Sequence, residues 1–200
     1  MNRPMCVALD FDGVVISGSN EGYFSCYHDA LEAVGVQLEE SVERERIIQG
    51  WGSGHINQLQ ILMPEYPDKV EEAGRVWVDY VESVSFWKRV QVVPGSKEAI
   101  ERMSQHASIV IVSGARKKHI QAILEREKIE GVSAVFSSYD VASSLRKPHP
   151  HTLELAMKEV GCVPAQTIYV GDMNNDVVMA RAAGVEPVVV LTGNLDEAHA

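Results

Sequence analysis

Basic residues are in deficit. The 200-residue chain carries 18 Lys and Arg against 28 Asp and Glu, a formal charge of −10. An electrostatic nucleic-acid binder needs a basic face to meet phosphates, so no nucleic-acid partner is expected. A phosphorylated small molecule stays open, because it answers to local rather than net charge. Cysteine is scarce: Cys6, Cys26 and Cys162 stand far apart and form no CxxC pair. That excludes a disulfide scaffold and is the usage of a reduced, cytoplasmic protein. A His/Cys cluster of zinc type is absent. No apolar run approaches the roughly 20 residues of a membrane helix, so no membrane partner is expected. Met1–Met5 lead too soon into the apolar stretch before Asp10 for a secretory leader. Internal repeats and low-complexity segments are also missing. What is present is a chain that is 46% hydrophobic and 23% charged, which buries a real core. Its length suits one domain, or one domain with a small insertion.

Short apolar runs, each closed by a polar or glycine-bearing turn, mark the strands. They are Met5–Leu9, Ser108–Val112, Ala134–Phe136, Thr167–Val170 and Pro187–Leu191. Near-continuous β-branched runs, rather than alternating ones, indicate strands buried on both faces of a parallel sheet. Segments 96–105, 117–128, 150–160 and 175–183 carry apolar residues at helical spacing between them. The alternation predicts an α/β fold, a Rossmann-like doubly wound parallel sheet with helices on both faces. Residues 16–91 break it. Segments 23–34, 38–48, 56–62 and 67–87 read as helices with no convincing strand, so 16–91 is expected to be a small all-helical cap inserted after the first strand. Residues 1–15 and 92–200 then form the core, and the polar tail after Leu191 is expected to fray.

Ligands of open α/β sheets gather beyond the carboxyl ends of the strands. There this sequence places Asp10-Phe11-Asp12-Gly13, Ser113-Gly114-Ala115-Arg116 and Gly171-Asp172-Met173-Asn174-Asn175-Asp176, with Lys147-Pro148 in the loop before the 150–160 helix. Carboxylates crowd together only around something positive. With oxygen donors and no zinc-type ligands, Mg²⁺ is the expected ion. Mg²⁺ with a lysine and a serine makes a cradle for a phosphoryl group. Asp10 and Asp12 are two residues apart, and Gly13 lets the chain turn so that both approach one site. One carboxylate can attack phosphorus while the other protonates the leaving oxygen and later activates water.

The chain resembles the haloacid dehalogenase superfamily of aspartate-nucleophile phosphohydrolases. Asp10-Phe11-Asp12-Gly13-Val14 matches its first motif, DxDG[TV], and Ser113 its second. Lys147-Pro148-His149-Pro150 matches the KPxP form of the third. Gly171 to Asp176, running on to Ala180, Ala183 and Gly184, matches the fourth. The 137–147 stretch resembles the branch that holds phosphoglycolate phosphatases and β-phosphoglucomutases. The resemblance implies a nucleophilic role for Asp10 and an acid/base role for Asp12, whose main-chain carbonyl also touches the metal. It implies that Ser113 and Lys147 hold phosphoryl oxygens and that Asp172 binds Mg²⁺ directly. Asp176 either supports the metal through water or orients Lys147. Ser113 is followed by Gly114-Ala115-Arg116 where many relatives carry an asparagine; the amides of Gly114 and Ala115, and the Arg116 side chain, are candidate phosphate contacts.

Each of these residues also has an ordinary role open to it. Asp10 and Asp12 could form an Asx-capped turn, Asp172 and Asp176 could offset a helix dipole, and Ser113 could be a plain N-cap. Arg116 is equally suited to a surface helix turn, and His149 and His151 read as a helix start rather than metal ligands. In the cap, Trp51, Gly52 and His55 are the candidates for substrate selection, while Trp77 and Trp87 read as packing residues. The function implied is hydrolysis of a small phosphorylated metabolite, by a monomer or homodimer. A phosphomutase is the nearest alternative; a phospho-acceptor module resembling a receiver domain is the alternative of another class.

Overall fold

The computed structural model describes residues 5–51, 54–88 and 90–193. Four apolar residues, Cys6–Leu9, form β1, and every one of them is buried. Ser108–Ser113 form β4, Val132–Ser137 β5, Thr167–Gly171 β6 and Glu186–Val189 β7. These five strands make one parallel sheet in the order β5-β4-β1-β6-β7. The chain leaves the central β1 toward β4 and β5, then returns to its other side with β6 and β7. That reversal is the point at which a doubly wound sheet opens a crevice beyond its strand ends.

Both faces of the sheet are covered, which is why the strands read as continuous apolar runs. Cys6 and Ala8 of β1, Val110 and Val112 of β4 and Tyr169 of β6 share one core. Into it pack Leu153, Ala156 and Met157 of α8 (His151–Glu159) and Met179 and Ala180 of α9 (Asn174–Ala182). Alternation turns Val7, Leu9, Ile109 and Ile111 to the opposite face. Helix α6 (Ser96–Ser104) packs on β4 and α7 (Lys117–Arg126) on β5.

Two further strands of two residues each, β2 (Ile16–Ser17) and β3 (Gln91–Val92), pair antiparallel. The contacts accordingly divide the chain into Met1–Ser17 with Gln91–Ala200, and Gly18–Val90. The sequence pattern puts the boundaries at 15/16 and 91/92, because a two-residue strand is too short to carry a period of its own. Both ends of the insertion therefore enter and leave through a β pair that belongs to the first unit.

The second unit is helical: α1 Ser19–Ala33, α2 Glu40–Gln49, α3 His55–Leu62, α4 Val70–Val81 and α5 Val84–Trp87. The expected single helix over 67–87 is broken twice. Pro67 opens a separate 3₁₀ turn, Pro67–Lys69. At the other end Ser83 Oγ accepts the Phe86 amide at 3.4 Å, an N-cap that starts a new helix and ends the old one. Tyr23 and Tyr27 of α1 pack on Trp77 of α4, and Phe86 packs on Tyr23. Lys69 Nζ donates to the Val34 carbonyl at 2.8 Å, closing the end of α1. Among the described residues no helix is long and apolar enough to cross a membrane.

Candidate active site

Register brings the motifs to one rim. Leu9 lies opposite Ile111 of β4 and Val170 of β6, so Asp10, Ser113 and Asp172 all follow at the carboxyl end. The Asp10 amide donates to Val170 O at 2.8 Å, and its carboxylate Oδ1 accepts the Phe11 amide at 2.7 Å. Beyond it the chain folds back on itself. The amides of Val15 and Ile16 donate to Phe11 O, and the Gly13 amide donates to Ile16 O. Gly13 has a φ of +77°, a conformation side chains disfavour, and a Cβ there would lie 2.3 Å from Asp172 Oδ2.

Lys147 holds the centre. Its Nζ lies 3.0 Å from Asp10 Oδ1, 2.9 Å from Asp176 Oδ1 and 2.6 Å from the Tyr169 hydroxyl, which uses all three ammonium protons. Asp176 is as fully engaged. Its Oδ1 takes Lys147 and faces the Tyr169 hydroxyl, and its Oδ2 accepts the amides of Asp172 and Met173 at 3.2 and 3.1 Å. Asp176 therefore orients Lys147 and caps the start of α9. Asp10, Asp172 and Asp176 each place an oxygen within 4.8 Å of the others, and all three are buried. Asp12 lies outside this trio, one residue before the Gly13 turn.

The charges do not balance. Two carboxylates within 4.8 Å of one another repel by roughly 3 kcal/mol or more at an effective dielectric of about 20 if both are ionised, and three of them face one ammonium. Burial, reinforced by the Asp176, Asp172 and Asp12 carboxylates, pushes Asp10 up to about 7 against the pull of Lys147. Burial works to lower Lys147, but Asp10 and Asp176 outweigh it and hold the ammonium charged well above its ordinary range. Buried, hard oxygen donors with excess negative charge are a donor set that fits Mg²⁺. On its other side the Asp172 carboxylate lies directly against the backbone of Gly13 and Gly193, where a Cβ would collide with it.

Around this centre, Ser113 is 1% exposed and its Oγ accepts the Ala115 amide at 3.1 Å, so that amide is occupied within the loop. Helix α7 starts only at Lys117, so Ser113 is not its N-cap. Gly114 is exposed, and a Cβ there would meet nothing within 4 Å. Arg116 lies with its guanidinium 5.2 Å from the centre of the Tyr139 ring, and Arg146 lies 4.6 Å from the same ring. The loops carrying them are tied together: Ser137 Oγ donates to Ala115 O, and the Tyr139 amide donates to Ser137 Oγ. His149 Nδ1 accepts the His151 amide at 3.1 Å, which is the helix-start role.

In the second unit, Trp51 stacks on Phe24 at 5.3 Å and meets Tyr23 edge-on. His55 opens α3 and stacks on Trp77 at 4.8 Å with an interplanar angle of 4°. Gly52 lies outside the described residues.

The model of the family described as haloacid dehalogenase-like hydrolase matches residues 7–190. The chain belongs to that family. A phosphoglycolate phosphatase from Xanthomonas campestris pv. campestris is 32% identical over 210 residues, covering 96% of this chain and 86% of that protein. One from Haemophilus influenzae is 30% identical over 106 residues; there the match spans 52% of this chain and about half (46%) of that protein's length. Among solved structures, a haloacid dehalogenase-like hydrolase from Bacteroides fragilis superposes with a TM-score of 0.84 at 21% identity, covering 98% and 92% of the two chains. That likeness is one of fold.

Sequence reasoning misses Tyr169, Tyr139, Arg146, Thr192 and Gly193. By its sequence position Tyr169 reads only as a strand residue, although a tyrosine in a buried aliphatic strand needs a partner for its hydroxyl, and that need is a usable signal. Tyr139, which gathers Arg116 and Arg146, carried none. Thr192 and Gly193 fall in the tail expected to fray after Leu191; Thr192 Oγ1 instead donates to Gly13 O.

Proposed function

We propose that this hydrolase is a Mg²⁺-dependent phosphatase that cleaves a small phosphorylated metabolite through an aspartyl-phosphate on Asp10. The observation that carries the reading is Asp10 itself: buried at the sheet's switch point, on Lys147, beside Asp172 and Asp176. Asp172, the Asp10 carboxylate and the main-chain carbonyl of Asp12 would hold the ion, while Asp176 holds Lys147. When bound, Mg²⁺ supplies charge neutralisation for the carboxylates and for the phosphoryl oxygens.

This chain's own residues do the rest. The Ser113 hydroxyl donates to a phosphoryl oxygen, and the Lys147 ammonium, through its charge, attracts the dianion and lowers the negative charge it meets on approaching Asp10. An oxygen of Asp10 attacks phosphorus as the ester oxygen leaves. Asp12 gives that oxygen its proton, then takes one from the water that attacks the acyl phosphate, returning Asp10 and releasing phosphate. Asp176 and Tyr169 keep Lys147 aimed throughout.

The relatives named phosphoglycolate phosphatase support a phosphoglycolate-like substrate, and a sugar phosphate is the neighbouring class for the same phosphate cradle. The two guanidiniums on Tyr139 set positive charge on loops next to the phosphate cradle, which suits a leaving group bearing a carboxylate. A phosphate-release screen over glycolyl, sugar, nucleotide and amino-acid phosphates in Mg²⁺ is expected to show one ester turned over much faster than p-nitrophenyl phosphate. Asp10→Asn abolishes that turnover with the fold intact, and Asp12→Asn slows both protonation of the leaving group and breakdown of the intermediate. Full activity in the Asp10 variant would remove the nucleophile, and unchanged kinetics in the Asp12 variant would remove the acid/base.

A further inference from the structure

The segment that follows β7 does more than end the sheet. The Val190 amide donates to Gly171 O at 3.0 Å, continuing the pairing of β7 with β6. The chain then bends, and Thr192 Oγ1 donates to the carbonyl of Gly13, 179 residues earlier. The next residue closes on the metal side of the site. A Cβ on Gly193 would lie 1.9 Å from Asp172 Oδ2, 2.5 Å from its Cγ and 2.7 Å from its Cβ. A Cβ on Gly13 would lie 2.3 Å from the same Oδ2 and 3.0 Å from the Cα of Gly193. The carboxylate of Asp172 thus sits in a slot whose two walls are glycine backbone, one from each end of the core.

We propose that Thr192 and Gly193 are positioning residues, a clasp that fixes the orientation of the Asp172 carboxylate and of the Gly13 turn, and through them the affinity of the site for its divalent cation. The inference rests on the reading of Asp172 as a Mg²⁺ ligand given above. Its physics is steric and local. Mg²⁺ demands near-ideal octahedral geometry, so a ligand displaced by half an ångström or turned to another rotamer binds it poorly. Glycine at 193 lets backbone lie flush against the Asp172 carboxylate, so that its side chain is confined on that face. The Thr192 hydroxyl pins the carbonyl of Gly13, and the peptide before that turn carries the main-chain oxygen of Asp12.

Position 193 makes a cleaner experiment than position 13. Gly13 has a positive φ, so any side chain there strains the backbone as well as crowding Asp172. Gly193 has no positive φ, and the three atoms a methyl would meet first all belong to Asp172. A Gly193→Ala change therefore acts on Asp172 and not on the backbone's own preferences.

The test is the affinity of the full chain for Mg²⁺ alone, without substrate, by isothermal titration calorimetry, beside the metal-free melting temperature. Gly193→Ala is expected to weaken Mg²⁺ binding tenfold or more, and in steady state to raise the Mg²⁺ concentration for half-maximal rate while kcat at saturating Mg²⁺ largely returns. A role confined to packing would lower the melting temperature and leave both metal readings unmoved. Thr192→Val, which keeps the shape and loses the hydroxyl, weakens Mg²⁺ in the same direction, and Thr192→Ser restores it. This pair decides the matter should Gly193→Ala fail to fold. Asp172→Asn separates the two levels of the argument. If Asp172→Asn loses Mg²⁺ while Gly193→Ala or Thr192→Val binds it as wild type, the clasp is refuted and the ligand stands. If Asp172→Asn binds Mg²⁺ as tightly as wild type, the ligand assignment falls and the clasp with it.

Discussion

Replacing Tyr169 by phenylalanine removes one oxygen from a fully buried position in the sheet and leaves the ring in place. That oxygen lies 2.6 Å from Lys147 Nζ, 2.9 Å from Val112 O and 3.1 Å from Asp176 Oδ1. Its single proton serves one of the two acceptors, and its lone pair receives the third N–H of the ammonium. Without it Lys147 keeps both ion pairs, to Asp10 and Asp176, and is left with a buried donor that has lost its acceptor. An orphaned buried donor costs about 1–3 kcal/mol. For a chain of this size each kcal/mol moves the melting temperature by about 2–4 °C, so the expected loss is between about 2 and 12 °C. Because Asp176 still steers the ammonium, kcat on the preferred ester is expected to fall by less than about tenfold, since one aiming contact of two remains. Differential scanning calorimetry and steady-state phosphate release on the same preparation check both numbers. A variant that melts and turns over as wild type would show that the hydroxyl does not hold Lys147, and the account of how the lysine is aimed would fail.

Two further outcomes follow from the packing and the charges. Trp77 is 7% exposed among Tyr23, Tyr27 and His55, so Trp77→Ala is expected to destabilise the helical unit by about 3–5 kcal/mol; a loss below about 1 kcal/mol in urea titration would mean that the cluster is surface decoration. Asp10 is pushed up to about 7 by burial and by its acidic neighbours, from an ordinary value of 3.8. The metal-free fold therefore keeps a proton that the unfolded chain releases, so stability falls as pH rises from about 4 to about 7 and then levels. Mg²⁺ competes with that proton, so the stabilisation it brings is larger at pH 8 than at pH 5, and Asp10→Asn flattens the profile. Metal-free melting temperatures that climb over this range would mean that Lys147, rather than burial, governs Asp10.

The sheet was legible because a parallel strand covered on both faces must be apolar at every position. Cys6–Leu9 and Ile109–Val112 satisfy that rule and little else does. The strand ends were legible for a related reason: only there can a buried run hand over to Asp10, Ser113 or Asp172 without placing an uncompensated charge inside the core. Features set by tertiary contact rather than by local period were not. The β pair Ile16–Ser17 with Gln91–Val92 joins residues on either side of a whole helical unit, and the break at Ser83 depends on a hydroxyl finding one particular amide.

The same distinction separates the residues that the motifs supplied from those that set their aim. A motif is local, and Asp10-Phe11-Asp12-Gly13 announces itself by spacing. Tyr169, Arg146 and Thr192 matter through what each meets across the fold: an ammonium, a phenol ring shared with Arg116, and a carbonyl from the first loop. Three buried carboxylates and one lysine are a set that could collapse into many mutual arrangements. Each oxygen of Asp176 has two polar partners, and Asp172 is walled by backbone on two sides. The fold thereby removes the alternatives, so that excess negative charge stays directed at one place instead of relaxing into internal pairs. Crowding of this kind disfavours the charged form of Asp10 in the metal-free chain, and under the proposed reading it would favour a divalent cation there over the rest of an acidic surface.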